Sequence, residues 1–322
     1  MIVCTTIREL KEHLAKRRLQ APEELVGIVP TMGFLHEGHA SLMRRARTEC
    51  GYTVLTVFVN PLQFGPGEDF DRYPRDEQRD IALAEANGID LVFMPSAAEM
   101  YPVKPLTKVL VSDVTDRLCG ASRPGHFDGV GTVVSKLFHL VQPDRAYFGM
   151  KDAQQIAVIQ RMVNDLNFPV EIVPCDTVRE ADGLAMSSRN VYLNEEERRQ
   201  AVVLSRTLSE AKSWIRQPGI KSGELSDLVR KAIGRAPLAE IDYAELLKYP
   251  DLTEPEPDTD LSRYPDTLIL ALAVKFGRTR LIDNRLMEGY GGESHVQNDD
   301  EIEDSSGNRY GSELELCGQY ND

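Results

Sequence analysis

Two histidines, His36 and His39, stand three residues apart in a glycine-rich stretch at residues 29–42. The stretch follows an apolar run at residues 25–29 and precedes a helix predicted over residues 38–50. It therefore lies at the carboxyl end of a strand, where open α/β sheets bind ligands. A helix N-terminus offers free N–H groups, and two imidazoles on one side of it add further donors. This arrangement predicts a site for polyphosphate.

Two other kinds of site are less consistent with this stretch. Gly33 and Gly38 have the spacing of a Walker loop, but His39 and Ala40 stand where that loop has Lys and Ser or Thr, so the groups needed for γ-phosphoryl transfer are missing. A zinc site would need a third ligand, which no His-Glu-x-x-His motif or cysteine cluster supplies. A packed turn with two surface histidines is the remaining alternative. The glycines, the strand–turn–helix order and both histidines favour nucleotide binding.

Three further polar segments occur near the ends of predicted elements. Lys151 can act as a point charge for phosphate, and Gln155 lies one helical turn after it. Gln63 can orient a small polar substrate. Each segment alone is weak, because an N-cap, an Asn-Pro turn or an ordinary loop explains it equally well; four loops at one edge of one sheet make a stronger prediction. The three segments are residues 149–155, 60–65 and 186–189.

The elements that must position these loops alternate along the first part of the chain. Short apolar strands are separated by helices of ten or more residues, which indicates βαβ units and a parallel sheet. We therefore predict a doubly wound, Rossmann-like α/β domain over residues 1–177. The predicted strands span residues 25–29, 53–59, 90–94, 145–148 and 170–174, and the predicted helices span residues 7–19, 38–50, 76–87, 130–141 and 152–166.

The pattern changes in the second part of the chain, where a smaller C-terminal α+β domain is predicted over residues 178–287. One long helix, a second helix and three strands follow a polar loop, and a segment dense in proline and aspartate is predicted as a surface loop. Residues 288–322 contain ten acidic residues and one arginine and are predicted to be a disordered tail. The C-terminal elements span residues 195–216, 224–234, 241–246, 268–275 and 280–282, with the loop at 249–266.

Composition excludes several classes of protein. The chain of 322 residues carries 37 basic and 51 acidic side chains, which argues against a nucleic-acid-binding surface. The apolar run at residues 268–274 is far shorter than the roughly 20 residues of a membrane span, and the first eight residues lack a secretory signal pattern. Five scattered cysteines without a Cys-x-x-Cys pair fit a reducing compartment. We expect a cytoplasmic protein without nucleic-acid or membrane partners.

The motifs taken together resemble the pantothenate synthetase family, the pantoate–β-alanine ligases, within the class I aminoacyl-tRNA synthetase-like nucleotidylyltransferase group. They run in the family's order over residues 1–287. Only the long acidic loop at 249–266 and the tail depart from it. The matching segments are Pro-Thr-Met-Gly-x-Leu-His-x-Gly-His at 30–39, Phe-Val-Asn-Pro-x-Gln-Phe-Gly at 58–65, Tyr-Pro-Arg at 73–75, Arg-Pro-Gly-His-Phe-Asp-Gly-Val at 123–130, Phe-Gly-x-Lys-Asp-x-Gln-Gln at 148–155, Arg-Glu-x-Asp-Gly-Leu-Ala-Met-Ser-Ser-Arg-Asn at 179–190 and Thr-Arg-Leu-Ile-Asp-Asn at 279–284.

The resemblance implies an ATP-dependent condensation of (R)-pantoate with β-alanine through a pantoyl adenylate, which yields pantothenate, AMP and pyrophosphate. ATP is then a substrate, Mg²⁺ enters with it, and the enzyme is a homodimer. Gln63 and Gln155 would bind pantoate, and Gln63 also β-alanine; the sequence does not indicate metal ligands. The implied catalytic residues are His36, His39, Lys151 and Arg189, and the implied ATP-binding residues are Met32, Gly33, Phe34, Leu35, His36, Glu37, Gly38, His39, Gly149, Met150, Lys151, Asp152, Val178, Met186, Ser187, Ser188 and Arg189.

Some alternatives stay open at the level of sequence. His39 either donates a proton or acts as a neutral hydrogen-bond donor. A nucleotidylyltransferase acting on another small acid or on a phosphate ester is the second candidate function, although residues 60–65 lack the extra Lys or Arg that a phosphate ester needs. A non-catalytic nucleotide sensor and a functional acidic tail are weaker alternatives. His126 is interpreted as structural, and the turn at residues 100–102 has no assigned role.

Overall fold

A computed structural model describes residues 1–287, so the predicted tail lies outside the described residues. Within them the chain forms two sheets. The first contains β1 (Ile2–Cys4), β2 (Val26–Thr31), β3 (Tyr52–Val57), β4 (Leu91–Phe93), β5 (Arg145–Gly149) and β6 (Glu171–Cys175), and the second contains β7 (Ala239–Lys248), β8 (Leu268–Phe276) and β9 (Thr279–Met287).

Helices connect and cover these strands. In chain order they are α1 (Ile7–Gln20), α2 (Glu37–Glu49), α3 (Glu77–Ala86), α4 (Ala97–Met100), α5 (Leu118–Ser122), α6 (His126–Val141), α7 (Ala153–Leu166), α8 (Glu195–Ala201), α9 (Val203–Trp214) and α10 (Ser222–Ile233). Short 3₁₀ turns occur at Pro61–Gln63, Phe70–Arg72, Met150–Asp152, Ser188–Tyr192 and Leu261–Arg263. None of the helices in residues 1–287 is long and apolar enough to cross a membrane.

The first sheet is parallel throughout, in the order β1-β4-β3-β2-β5-β6. The chain winds outward from β2 through β3 and β4, and then returns to add β5 on the other side of β2. The loops after β2 and β5 consequently leave the sheet in opposite directions, and a cleft opens between them at the carboxyl edge. This topology confirms the predicted doubly wound α/β fold and the loops' common edge.

The second sheet is antiparallel, in the order β7-β8-β9, and it confirms the predicted α+β character of the C-terminal part. Its central strand β8 is buried on both faces. Ile269 and Ala271 belong to the core shared with the first sheet, whereas Leu270 and Leu272 pack under α9 and α10. Burial on both faces explains the apolar run at residues 268–274, because alternation disappears when neither face meets water. The division into domains at residue 177 stays a prediction.

Three sequence predictions differ from the structure. The single long helix predicted over 195–216 is wrong: it is divided at Val202 into α8 and α9, although Val202 keeps helical dihedral angles and its carbonyl still accepts from the Arg206 N–H at 3.2 Å. Helix α6 begins at His126 rather than at residue 130. The loop at 249–266 is not purely a surface loop, because Leu252 and Tyr264 are buried in it.

Candidate active site in the cleft between β2 and β5

The cleft is lined by the loops that follow β2, β3, β5 and β6. His36 and His39 line it from the loop after β2, Lys151 lines it from the loop after β5, and the segment at residues 186–189 completes the lining. A smaller adjoining cavity shares Lys151 with the cleft and is bounded on its far side by β7 and β9. The topology therefore brings together the four loops that the sequence selected.

The two histidines cap α2 as a reciprocal pair. The His36 Nδ1 atom accepts the Gly38 N–H at 3.2 Å, and the His39 Nδ1 atom accepts the His36 N–H at 3.2 Å. This is a capping box in which imidazoles replace the usual hydroxyl and carboxylate. With each Nδ1 acting as an acceptor, the neutral ring carries its proton on Nε2. The rings lie 4.1 Å apart between centroids, so the two Nε2–H donors belong to one compact group.

Both imidazoles are neutral at pH 7. Burial, reinforced by the positive charge of Lys151, lowers the pKa of His36 to about 4. Burial, reinforced by His36 and Lys151, lowers the pKa of His39 to about 3. A charged imidazolium is therefore disfavoured in this part of the cleft. The His36–His39 pair supplies hydrogen-bond donors without supplying charge.

Lys151 supplies the charge on the opposite side. Its nearest carboxylate in the described residues is that of Asp152, 3.9 Å from Nζ, and its side chain is largely buried. The turn that carries it is fixed from the second sheet, because the Asn284 side-chain amide donates to the carbonyls of Met150 at 2.8 Å and Lys151 at 2.9 Å. Strand β9 of the second sheet thus positions the turn that carries Lys151.

Arg189 is held by a carboxylate in the loop after β3. Its guanidinium pairs with both oxygens of Asp69, at 3.0 and 3.1 Å, and lies 5.7 Å from the centre of the Tyr73 ring. Burial alone would raise the pKa of Asp69, but the hydrogen bonds and charge of Arg189 keep it below its usual value. The Tyr73 and Ser188 hydroxyls are in hydrogen-bond contact at 3.1 Å. These contacts therefore hold the loop after β3 against the segment at residues 187–192.

Gln63 lines the cleft beside Met32. Its side-chain Oε1 accepts from the Asn60 amide at 3.2 Å, and its Nε2 donates to the Met32 sulfur at 3.3 Å. The Gln63 carbonyl accepts from His126 Nδ1 at 2.8 Å and from Arg123 at 3.3 Å. Both the main chain and the side chain of Gln63 are consequently fixed before any ligand arrives.

His126 therefore lines the cleft without offering a free donor to it. Its second ring nitrogen contacts Arg123 at 3.2 Å, and Arg123 in turn forms a two-pronged ion pair with Glu68. Burial, with the added charge of Arg123, lowers the pKa of His126 to about 4, so the ring is neutral. These contacts support the interpretation of His126 as a structural residue.

Comparison with known proteins gives the same family over the whole described chain. The family model described as "Pantoate-beta-alanine ligase" matches residues 2–286. This chain belongs to the pantoate–β-alanine ligase family. The pantothenate synthetase of Desulfitobacterium hafniense is 50% identical over 289 residues, which cover 90% of this chain and 100% of the relative. The match includes every segment that forms the cleft.

Solved structures of the ligase family share the fold. The pantothenate synthetase of Thermus thermophilus is 48% identical, with a TM-score of 0.80 over 88% of this chain and 99% of that chain. The pantoate–β-alanine ligase of Francisella tularensis is 30% identical, with a TM-score of 0.69 over 89% of this chain and 97% of that chain. The Francisella tularensis structure is a complex with β-γ ATP and β-alanine.

Most of the predicted ligand residues of this ligase lie around the cleft. The structure brings Gln63, Gln155 and the four predicted catalytic residues to its surface. The predicted ATP-binding residues that line it are Met32, His36, Gly38, His39, Gly149, Lys151, Asp152, Val178, Met186, Ser187, Ser188 and Arg189. The predicted ATP-binding residues outside the lining are Gly33, Phe34, Leu35, Glu37 and Met150.

The residues outside the lining have other partners. The N–H groups of Phe34 and Leu35 donate to the buried carboxylate of Asp80 at 2.9 and 2.7 Å, and Leu35 is fully buried. Glu37 forms an ion pair with Arg44 on the outer side of α2. These contacts hold the turn after β2 so that His36 and His39, rather than the preceding residues, face the cleft.

Sequence reasoning missed several residues of this site. Asp69, Tyr73 and Arg123 line or fix the cleft; Tyr73 and Arg123 begin two of the matching segments but were given no role there, and Asp69 lies in none of them. Gly129 in α6 is a sequence feature that could have indicated close packing near Gln63. A Cβ there would collide with the Leu62 carbonyl, so the glycine allows α6 to pack closely on the turn that carries Gln63.

Proposed function

We propose that this protein condenses (R)-pantoate with β-alanine in an ATP-dependent reaction that yields pantothenate, AMP and pyrophosphate. Family membership supports the overall reaction. The observation that carries the mechanism is the convergence of two neutral imidazole donors, one lysine and a fixed glutamine amide on a single cleft. The identities of the individual site residues are part of this proposal.

In the first half-reaction, a pantoate carboxylate oxygen attacks the α-phosphorus of ATP. A bond forms between that oxygen and phosphorus, the bond to the β-phosphate oxygen breaks, and pyrophosphate leaves. Charge increases around the α-phosphate, where preorganised donors contribute most. We assign the His36 and His39 Nε2–H groups to the phosphate oxygens as neutral donors. Lys151 and Arg189 would balance the charge of the phosphates.

In the second half-reaction, the amine of β-alanine attacks the acyl carbon of pantoyl adenylate. A C–N bond forms and the bond from the acyl carbon to the AMP oxygen breaks. The departing AMP carries the charge that His36 and His39 already face, so the same donors serve both steps. The attacking neutral amine gives up one proton, which the phosphate of the departing AMP can accept, so the step balances.

Gln63 and Gln155 are proposed to bind pantoate, and Gln63 to bind β-alanine as well. Gln63 is fixed by Asn60 and His126, whereas Gln155, on α7, lines both cavities. A fixed amide rejects a substrate analogue that lacks the matching oxygen, because the amide would then remain unpaired in a water-poor site. This predicts strong selection for the hydroxyls and carboxylate of pantoate.

Magnesium, assembly and location belong to the proposal in the same way. Mg²⁺ would be held mainly by the phosphate oxygens of ATP, where it would offset their charge, and Asp152 and Asp176 are the carboxylates of the cleft lining that could assist it. The homodimer rests on the family resemblance. The cytoplasmic location is supported by four buried cysteines with free thiols, at positions 4, 50, 119 and 175.

A nucleotidylyltransferase acting on a phosphate ester is less consistent with the cleft. The structure does bring an arginine, Arg123, beside Gln63, which the sequence alone did not predict. However, Arg123 forms a two-pronged pair with Glu68. The Gln63 end of the cleft therefore has no net positive charge to attract a second phosphate.

The proposal is tested by isotope exchange between pyrophosphate and ATP. We expect the protein to exchange labelled pyrophosphate into ATP when pantoate is present and β-alanine is absent, because adenylation is reversible and needs no amine. Gln63→Ala should lose this exchange, since misplacing the carboxylate by about 1 Å can cost 100-fold. Exchange that requires β-alanine, or that runs without pantoate, would contradict the acyl-adenylate mechanism.

A further inference from the structure

The turn at residues 100–102 contains Tyr101, which is connected by hydrogen bonds to a residue of the cleft lining. The Tyr101 hydroxyl donates to Asn60 Oδ1 at 3.0 Å, and Asn60 in turn donates to Gln63 Oε1 at 3.2 Å. Tyr101 and Asn60 are both absent from the lining of the cleft and of the adjoining cavity. The hydrogen bonds of the two residues therefore reach the cleft through Gln63.

Asn60 is a fully paired amide, and its pairing fixes which end faces Gln63. Oδ1 accepts from the Leu62 N–H at 3.3 Å and from Tyr101, while Nδ2 donates to the Gly129 carbonyl at 3.1 Å and to Gln63. These four bonds use both acceptor sites and both donor hydrogens of the amide. Reversing the amide would set Nδ2 against the Leu62 N–H and Oδ1 against the Gly129 carbonyl. The orientation of Asn60 is thus determined.

The orientation of Gln63 follows from that of Asn60. Because Asn60 presents a donor, Gln63 must turn its oxygen inward, and its Nε2 group faces the Met32 side of the cleft. One Nε2 hydrogen meets the weak acceptor sulfur of Met32, and the other remains for a ligand. Gln63 therefore presents a hydrogen-bond donor to an oxygen atom of the substrate.

Neighbouring residues fix the Tyr101 side chain, and its hydroxyl keeps the proton that it donates. Lys136 Nζ lies 5.0 Å from the centre of its ring and bonds the neighbouring Met100 carbonyl, and Phe58 packs against it with ring centroids 6.1 Å apart. Burial raises the pKa of Tyr101 to about 12, so the hydroxyl keeps its proton. The protonated phenol can therefore donate to Asn60 Oδ1, which a phenolate could not do.

We propose that Tyr101 is a positioning residue for substrate selection, which acts through Asn60 to make Gln63 a donor toward a pantoate oxygen. The inference rests on the proposed function, since it assumes that pantoate is the ligand of Gln63. Removing the hydroxyl leaves one acceptor site of a buried amide unfilled, so Asn60 is held by three hydrogen bonds instead of four and positions Gln63 less firmly. Pantoate binding should suffer, and ATP binding should not.

The test compares Tyr101→Phe with Tyr249→Phe. The Tyr249 hydroxyl is also buried, but it has no hydrogen-bond partner among the described residues. We expect Tyr101→Phe to raise the pantoate Kd about fivefold, the usual effect of one neutral hydrogen bond, and to leave the ATP Kd within about twofold. Tyr249→Phe should change neither constant. An unchanged pantoate Kd in Tyr101→Phe, or an equal rise in both constants, would overturn the proposal.

A double-mutant cycle separates positioning from general loosening. If Tyr101 acts through Gln63, adding Tyr101→Phe to Gln63→Ala should cause no further loss in kcat/KM for pantoate, whereas an independent structural role would give additive losses. Additive losses would refute the inference. If the unaltered protein itself fails to bind pantoate, the proposed function fails, and this outcome is distinguishable because it needs no variant.

Discussion

The two walls of the cleft differ in the groups that they present to a ligand. The wall after β2 presents two imidazoles that burial keeps neutral, and backbone N–H groups fix them through their Nδ1 atoms. The opposite wall presents full charges, with Lys151 near Asp152 and Arg189 paired with Asp69. Neutral donors need no counter-ion, so only the charged wall must exchange a carboxylate for a phosphate when ATP binds.

This difference suggests a division of labour between the walls. The His36–His39 pair is rigid and specific in direction, which suits the charge that develops on the α-phosphate. Lys151 and Arg189 are strong but less directional, which suits the overall charge of a triphosphate. The following variants test whether the two walls can be separated in this way.

Removing the main donor of either wall should have the largest effect on kcat. His39→Ala and Lys151→Ala should each lower kcat by at least about 100-fold, the scale for losing one preorganised donor. Steady-state kinetics with saturating substrates measure this loss. The exposed residues His139 and Lys104 provide matched controls, and their alanine variants should behave as the unaltered protein does. Near-normal turnover in either cleft variant would remove that residue from the mechanism.

A glutamine substitution should separate the two walls more sharply. Glutamine can still cap α2 from position 39, because Gln is a natural capping-box residue at the third helical position, and it keeps a neutral donor. His39→Gln should therefore be at least about fivefold more active than His39→Ala. Lys151→Gln should be no more active than Lys151→Ala, since that wall requires charge. Equal activity of His39→Gln and His39→Ala would contradict a neutral-donor role.

The smallest expected effect concerns the counter-ion of Arg189. Asp69→Asn keeps one hydrogen-bond acceptor for the guanidinium but removes the charge that competes with phosphate. The KM for ATP should fall about threefold, within the range of a partly exposed ion pair. Initial rates at varied ATP concentration measure the change, with Asp71→Asn in the same loop as a control. A higher KM would show that Asp69 aligns Arg189 instead of competing with the nucleotide.

The sequence predicted the architecture because its signals are local. Apolar strand segments, helix periodicity and the glycine-rich turn after β2 were enough to place His36, His39 and Lys151 at one sheet edge. The division of the helix at Val202 was not predictable from periodicity, because Val202 keeps helical dihedral angles and the buried apolar positions continue on both sides of it.

The site's finer chemistry depends on contacts between distant segments. Asp69 meets Arg189 across 120 positions of sequence, and Tyr101 meets Asn60 across 41. No motif around Asp69 or Tyr101 indicates which distant residue it will contact. The charge and tautomer of His36 and His39 likewise follow from three-dimensional burial and capping, and for this reason the sequence left proton donation and neutral hydrogen bonding equally open for His39.

The most direct test of the neutral wall is nitrogen-15 NMR of the histidine side chains, in the free protein and with a non-hydrolysable ATP analogue. We predict that His36 and His39 are neutral at pH 7, with the proton on Nε2. In the free protein both should remain neutral as the pH falls to 5, because their pKa values are lowered to about 4 and about 3. His36→Gln and His39→Gln variants assign the signals. An imidazolium at pH 7, or a proton on Nδ1 of His39, would contradict the account.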